Sequence, residues 1–376
     1  MDHAFEDALE PTCIGMRDRA ARWRGTSDWP EESLTLCGEA GLFAGLSLSN
    51  ASPERFRRPF GSRVWSPSQQ VECLVRLAES DLLTTFVITQ HLGAIKHLLR
   101  SDAIRNATTD SRTDAEPVLM DLLAGNRFGS VGISHLTTSR RHLGHPAVTA
   151  MRVSGGFQLS GTVPWVTGAA HIDQVVIGAV VAADQTELLA LLSPNTLGVT
   201  SGPGTEMIAM SASCTDAVEL ADVFVPDSHI LSGPRADVLS GGGQPQAKSG
   251  GTGGIQTSAL ALGLSQASLN YLREQSQQRA NLVAIVNQFD REHQSLHEQL
   301  MAAADGESTV DVATIRSTAN RLVQRTTSAA MTAAKGAGLK VDHPVARWCQ
   351  QSFFFLVWSC PQPVAEAHLC DMAGLA

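Results

Sequence analysis

The period of the hydrophobic pattern changes twice along this chain. Between Phe128 and Pro226, short runs rich in valine, isoleucine and leucine alternate with clusters of glycine, proline, asparagine and serine, a pattern typical of strands and turns. The runs are residues 131–133, 148–153, 157–159, 173–182, 187–192 and 217–225. Because no helical pattern intervenes, they predict an antiparallel β-domain rather than alternating strands and helices.

The segments on both sides of this block have helical periodicity. Before it, apolar residues recur at positions 71, 74, 75, 78 and 82, and the pattern continues through residues 83–99 with a break near Gly93. After it, a stripe of small and aliphatic residues runs over 315–333 and ends at Gly336 and Gly338. We therefore predict an α+β multi-domain protein. Its parts are an N-terminal α-helical domain (1–127), a central β-domain (128–235), a glycine-rich linker (236–254) and a C-terminal helical domain (255–376).

Composition excludes several classes of protein. The 376 residues carry a net charge of -9 and no basic run, which argues against a nucleic-acid binder. The seven cysteines are scattered without a C-x-x-C pair, so neither a disulfide framework nor a metal site is expected. The acidic N-terminus does not resemble a signal peptide, and no apolar stretch reaches membrane-spanning length. We expect a cytoplasmic protein without a membrane span.

The stretch 156–177 holds the most informative pair of side chains. We expect a strand from Phe157 that ends in a turn at Ser160 and Gly161, and a second strand that includes residues 175–177. Between them, Trp165 and Thr167 are two residues apart, so an extended backbone places them on the same side. An aromatic ring beside a hydroxyl suits a flat heteroaromatic ligand, but a tryptophan that fills a β-core fits these residues equally well.

Several motifs, in order, resemble those of the acyl-CoA dehydrogenase family. The Trp-Val-Thr-Gly at 165–168 matches the family's flavin-flanking motif, and Ala-Asp-Val-Phe-Val-Pro at 221–226 matches the end of its β-domain. Further similarities lie at residues 37–42, 78–81, 90–93, 336–338 and 343–347. The resemblance covers the full length. It implies a central β-barrel-like domain, a C-terminal four-helix bundle, bound FAD, an acyl-CoA-like small-molecule substrate and a homodimer or homotetramer.

The resemblance also implies which residues bind FAD. The positions that match are Ser134, His135, Leu136, Trp165, Thr167, Arg279 and Gly336. The run after Leu136 lacks the Glu and Pro of the family's first flavin-binding strand, and Arg279 lacks its usual Phe-Gly companions. Backbone contacts to the cofactor do not depend on these missing side chains.

The family's catalytic base has no counterpart in this sequence. Family chemistry needs a carboxylate to remove a proton while a hydride passes to the flavin. The usual position reads Ser359-Cys360-Pro361, the alternative position falls near Gly253, and no Asp or Glu lies between Asp237 and Glu274. An unactivated serine hydroxyl is too weak a base.

Three functions therefore compete. The chain is an FAD-dependent oxidoreductase of acyl-CoA dehydrogenase type with a base from elsewhere, a flavin-dependent monooxygenase of the same superfamily, or a catalytically silent FAD-binding relative. Ser359 and His91 are the candidate catalytic residues, with Ser134 and His135 as further hydrogen-bonding groups. His293 and His297 have the spacing of metal ligands on a helix, but no third ligand follows, so we predict a solvated polar face.

Overall fold

The structure is a computed structural model, which describes residues 3–61, 64–106, 114–137, 144–239, 254–307, 309–358, 360 and 362–375. The chain before the sheet is helical, as predicted. Its helices are α1 (His3–Arg19), α2 (Glu31–Glu39), α3 (Leu42–Ser47), α4 (Glu54–Arg57), α5 (Pro67–Ser80), α6 (Leu82–Leu99), α7 (Asp102–Asn106) and α8 (Ala115–Ala124). A capping box begins α5, in which Ser66 Oγ accepts from the backbone of Gln69 and the Gln69 side chain accepts from Ser66 N.

The central segment forms one mixed sheet. Its strands are β1 (Gly129–Gly132), β2 (Val148–Val153), β3 (Gly156–Val166), β4 (Gln174–Val181), β5 (Glu187–Leu192), β6 (Val199–Ser201), β7 (Asp216–Pro226) and β8 (Ile230–Arg235). The order is β6-β7-β3-β2-β4-β5-β8, and β1 pairs with β4 outside this path. The prediction of an antiparallel domain is therefore wrong for part of the sheet, since β4 runs parallel to both β1 and β2.

Strand β3 is longer than the sequence pattern indicated. The expected turn at Ser160 and Gly161 is wrong, because β3 continues to Val166 and the irregularity is absorbed as a register shift against β7. Gly161 lies there with a φ of 131°, a conformation that glycine adopts without strain. Trp165 consequently belongs to the end of β3 instead of a connecting segment.

The sheet separates two hydrophobic clusters. Along β4 and β5, alternate residues belong to different clusters, which shows that both faces of these strands are buried. Val175, Ile177 and Ala179 pack with side chains of the sheet itself, whereas Val176 packs with the helices. Burial on both faces explains why the sequence of β4 is almost continuously apolar.

The chain after the sheet is helical again. It contains α9 (Ile255–Ser276), α10 (Val283–Ala304), α11 (Val312–Ala334), α12 (Pro344–Ser352), α13 (Phe354–Val357) and α14 (Gln362–Met372). Helix α9 packs against α10 and α11 of its own region and against α5 of the N-terminal region. At Gly263, a side chain would meet the carbonyl oxygen of Val75 at 2.3 Å, so glycine sets the close approach of α9 to α5. Among the described residues, no helix is long and apolar enough to cross a membrane.

Helix α6 is unbroken at Gly93, in contrast to the prediction from sequence. It runs from Leu82 to Leu99, and its N-terminus is capped by Asp81. A Cβ atom at Gly93 would lie 3.2 Å from Val131 of β1. The glycine therefore allows the sheet to pack closely on the helix, which is a tertiary reason that the local pattern does not reveal.

Candidate functional site

Trp165 lies at the end of β3 and is the large aromatic side chain that this end presents to solvent. It is 41% exposed, although its neighbours Val163 and Val166 are fully buried. The short 3₁₀ turn Ser134–Leu136, which follows β1, packs against β3 and β4. The structure thus brings two of the predicted flavin-binding segments to the same strands.

Thr167 is in a different environment from Trp165. Strand β3 ends at Val166, and Thr167 is only 2% exposed, so Thr167 does not share the exposure of Trp165. The Thr167 Oγ1 atom is 3.1 Å from Oγ1 of Thr215, which is in turn 2.8 Å from Oγ of Ser213. A hydroxyl has one donor proton and two acceptor lone pairs, so the Thr167 hydroxyl can bond a ligand as well as Thr215.

The Ser134–Leu136 turn contains three side chains with different environments. Ser134 Oγ is buried and has no hydrogen-bond partner among the described residues. The His135 ring is 6% exposed, with Nε2 2.8 Å from the carbonyl oxygen of Gly178. Leu136 is 3% exposed and covers Gly178, so its side chain belongs to the core. Ser134 is therefore the side chain of this turn with free capacity for a ligand.

His91 has a position that favours a structural role over the catalytic role expected from sequence. Its ring is 1% exposed, Nδ1 accepts from the backbone N–H of Gly129 at 3.0 Å, and Nε2 lies 3.0 Å from the carbonyl oxygen of Leu122. Both ring nitrogens thus join α6 to α8 and β1. Burial lowers the pKa of His91 to about 4, so the ring is neutral near pH 7.

Arg279 and Gly336 lie near one another at one end of the C-terminal helices. Arg279 follows α9 and donates from Nη1 to the carbonyl oxygen of Ala333 at 2.7 Å, and from Nη2 to the side chain of Gln275. Gly336 follows α11, and a Cβ atom there would meet nothing within 4 Å. The guanidinium is thereby fixed at the carbonyl of Ala333, three residues before Gly336, and its charge suits an anionic ligand.

The region before Ser359 is held by a polar ladder that we did not predict. Side chains four residues apart on α11 donate to carbonyl oxygens at the ends of α12 and α13. The pairs are Arg316 to Trp358 at 3.1 Å, Asn320 to Phe355 at 2.9 Å and Gln324 to Ser352 at 2.6 Å. The i, i+4 spacing of Arg316, Asn320 and Gln324 was the sequence signal that could have revealed it.

Arg316 is fully buried in this ladder. Its Nη1 atom has no partner among the described residues, and burial lowers its pKa to about 10. The Trp358 ring stacks on Phe354 and contacts Phe86 of α6 edge to face. Ser359 and Gly253, the two positions that matter for the missing base, lie outside the described residues. Among the described residues, the side chain that bonds the carbonyl oxygen of Trp358 is therefore the buried cation Arg316.

Comparisons with known proteins agree with this architecture. No family model matches the sequence. Benzylmalonyl-CoA dehydrogenase from Aromatoleum aromaticum is 28% identical over 174 residues, which span 46% of this chain and 45% of that protein. The match thus covers less than half the length of that relative. The solved structure of glutaryl-coenzyme A dehydrogenase superposes with a TM-score of 0.79 at 17% identity, over 100% of this chain and 96% of that chain.

The chain has the fold of the acyl-CoA dehydrogenases. The resemblance predicted from the motifs is confirmed, as is the order of helices, sheet and helices. The fold also extends to the FMN-bound dibenzothiophene monooxygenase TdsC from Paenibacillus sp. A11-2, with a TM-score of 0.73 at 17% identity over 97% of this chain and 94% of that chain. Likeness at this identity shows the acyl-CoA dehydrogenase-like fold and leaves the chemistry open.

The prediction of a solvated face at His293 and His297 is wrong. His293 is 8% exposed and its Nε2 lies 3.1 Å from the carbonyl oxygen of Leu262 on α9. His297 Nε2 lies 2.6 Å from Oε2 of Glu72 on α5, and this hydrogen bond raises the pKa of His297. The two rings therefore join α10 to its neighbouring helices, and no metal-binding cluster occurs among the described residues.

We expect acid to destabilise the protein through its buried neutral histidines. The pKa values of His91 and His293 are both lowered to about 4 by burial, against about 6.5 in an unfolded chain. The unfolded state therefore binds more protons between these values, and stability falls as the pH drops from 6.5 towards 4. Each of the two rings should lower the free energy of unfolding by about 2 kcal/mol at pH 4.5 relative to pH 7.

The measurement is the free energy of urea unfolding between pH 7 and pH 4.5. The variant His293→Gln retains a donor for the Leu262 carbonyl but cannot titrate, so its stability should fall less with acid than that of the wild type. His297 has the opposite sign, because a raised pKa favours the folded state at low pH and is lost as the pH rises. An equal loss of the free energy of unfolding between pH 7 and pH 4.5 in wild type and His293→Gln would contradict this account.

Proposed function

We propose that the chain is an FAD-dependent oxidoreductase of acyl-CoA dehydrogenase type, which transfers a hydride from the CH–CH group of an acyl-thioester-like substrate to the flavin. The observation that carries the proposal is the exposed Trp165 at the end of β3, the strand against which the Ser134–Leu136 turn packs, in a chain with this fold. Flavin rings need an aromatic wall and a few hydrogen-bonding groups, and this part of the sheet supplies both.

The residues present fit a flavin. The buried hydroxyl of Ser134 lacks a partner among the described residues, as expected of a group that pairs with a ligand. Trp165 would cover the ring, and Thr167 would donate a hydrogen bond to its edge. Arg279 and Gly336 would hold the phosphate and adenosine end of FAD. The bound flavin would supply the two-electron chemistry, and the protein would orient the substrate against it and exclude water.

A monooxygenase of the same superfamily is the second candidate. The observation that favours it is the lack of a carboxylate at either expected base position in the sequence, together with the buried cation Arg316, which donates to the carbonyl oxygen of Trp358. A positive charge stabilises anions and lowers the proton affinity of nearby groups, which does not help a general base. Ser359 would then hydrogen-bond the substrate or an oxygen-derived group. A silent flavin-binding relative is the third outcome.

Other properties belong to the same proposal. The substrate is a small molecule, an acyl-CoA if the first candidate holds, and we propose neither a nucleic-acid partner nor a membrane span. We also propose a cytoplasmic homodimer or homotetramer, a barrel-like closure of the β-domain, a four-helix bundle near the C-terminus and domain boundaries at residues 127, 235 and 254. The close-packed small residues of α11 are consistent with bundle packing.

Anaerobic mixing with substrate distinguishes the candidates. Because the usual base is absent, saturated acyl-CoA should reduce the protein's flavin at least about 100-fold more slowly than in butyryl-CoA dehydrogenase measured in parallel. Oxygen uptake that depends on supplied reduced flavin would favour the monooxygenase. Rapid bleaching by a simple acyl-CoA would show that another residue acts as the base, and bound flavin with neither activity would indicate the silent relative.

A further inference from the structure

A second segment lies directly opposite Thr167. Strands β3 and β7 pair in antiparallel register with Val166 opposite Asp216, so the next residues outward are Thr167 and Thr215. The backbone N–H of Gly168 donates to the carbonyl oxygen of Ser213 at 2.9 Å, which continues the contact beyond the strands. The relative position of Thr167 and Thr215 is therefore fixed by backbone hydrogen bonds on both sides.

The segment that carries Thr215 is held in an unusual conformation. Met210 and Cys214 have φ values of 67° and 47°, and they flank the short 3₁₀ turn Ser211–Ser213. Non-glycine residues in this region are strained and persist only where surrounding contacts require them. The Thr205 N–H donates to the carbonyl of Thr215 at 2.8 Å, and the Asp216 carboxylate accepts from Gly204 N at 3.1 Å.

Thr167, Thr215 and Ser213 form a buried chain of three hydroxyl groups. They are 2%, 2% and 0% exposed, and the two contacts between their oxygens measure 3.1 Å and 2.8 Å. Three hydroxyls carry three protons, and the two contacts use two of them. One proton is therefore left over: it lies at Ser213 or at Thr167 if all three hydroxyls donate in one direction, and at Thr215 if Thr215 accepts from both neighbours.

The direction in which the three hydroxyls donate decides where the free proton lies. If Thr167 donates towards Ser213, the leftover proton belongs to a fully buried Ser213 hydroxyl, for which no other partner is seen among the described residues. If Ser213 donates to Thr215 and Thr215 to Thr167, the free proton is at Thr167. The second direction is favoured as soon as an acceptor reaches Thr167, because an unpaired buried donor costs free energy.

We propose that Thr215 and Ser213 are positioning residues, which orient the Thr167 hydroxyl as a hydrogen-bond donor to a neutral acceptor atom of a flat heteroaromatic ring. The inference rests on the flavin site proposed above and assigns a role to two residues that lie outside the predicted site. Neither Thr215 nor Ser213 needs to touch the ring, since each acts through Thr167. Once the ligand's acceptor atom reaches Thr167, the three hydroxyls can pair all of their protons only by donating from Ser213 through Thr215 to Thr167 and on to the ligand.

Flavin affinity of threonine-to-valine variants tests the role. Thr167→Val should weaken the binding of flavin about 10-fold, and Thr215→Val about 5-fold. The double variant should be no weaker than Thr167→Val alone, because Thr215 acts through Thr167. Thr215→Ser retains a hydroxyl and should bind like the wild type, and the flavin absorption band in Thr215→Val should shift towards its position in Thr167→Val.

A matched control and a measurement without flavin complete the test. Thr149→Val on β2 removes a hydroxyl that donates to Ser160 O in the same sheet, and should leave flavin affinity unchanged. In the apoprotein, the loss of melting temperature in the Thr167 and Thr215 double variant should be smaller than the sum of the single losses. Independent effects of the two variants on flavin affinity would overturn the positioning role alone. Lack of flavin binding by the wild type would instead overturn the proposed function, and the role with it.

Discussion

Replacing His91 with leucine is expected to lower the free energy of unfolding by about 4 kcal/mol. The substitution removes the partners of two buried backbone groups, the N–H of Gly129 and the carbonyl of Leu122, and leaves both without water to replace the ring. Because these groups belong to β1 and α8, the loss loosens the contact between the sheet and the N-terminal helices. Urea unfolding followed by circular dichroism measures it.

The control for His91 is His145→Leu, which changes an exposed histidine and should alter stability by less than about 0.5 kcal/mol. A partial rescue by His91→Asn, whose amide can still bond one of the two backbone groups, would support the structural role. If His91→Leu proves as stable as the wild type but loses turnover of an identified substrate, the original catalytic hypothesis for His91 gains support and the structural assignment is wrong.

A substitution at the contact between α5 and α9 should lower the free energy of unfolding nearly as much. In Gly263→Ala, the new methyl group would lie 2.3 Å from the Val75 carbonyl oxygen, 2.7 Å from Ala78 Cβ and 2.8 Å from Glu79 N. Two of these atoms belong to backbone and cannot rotate away, so the helices must separate. We expect a loss of about 3 kcal/mol, despite the higher helix propensity of alanine.

Gly336→Ala provides the matched control for this substitution. A Cβ atom there has no neighbour within 4 Å, so stability should be unchanged within about 0.5 kcal/mol. Thermal unfolding of the two variants compares them directly. A Gly263→Ala protein that melts at or above the wild-type temperature would show that α5 and α9 do not approach as closely as the structure indicates.

Local sequence patterns predicted the elements of this fold well, because strands and helices are set by neighbouring residues. The β-branched run of β4 and the four-residue periodicity of α5 both appear as predicted. Parallel pairing of β4 with β1 and β2 was missed, since pairing partners depend on contacts far apart in the chain. Gly93 was read as a helix break for the same reason, because its close neighbour Val131 belongs to β1.

The candidate site was predictable where a motif lies within one segment. Trp165 stands at the end of its strand with an exposed ring. The surroundings of Thr167 could not be predicted, because its partner Thr215 lies 48 residues further along the chain and only the sheet brings the two together. The structural contacts of His91 could not be predicted for a related reason: its partners are backbone groups on other elements, and backbone groups leave no signal in a sequence.

The most direct test of the central claim is a titration of the purified protein with FAD and with FMN, followed by visible absorbance and fluorescence. The account predicts saturable binding of flavin by the wild type and at least 10-fold weaker binding by Trp165→Ala. Phe224→Ala is the control, since Phe224 is 50% exposed on β7 and pairs opposite Gln158 of β3, about 23 Å of strand from Trp165. Absence of flavin binding by the wild type, or equal affinity in Trp165→Ala, would contradict the account.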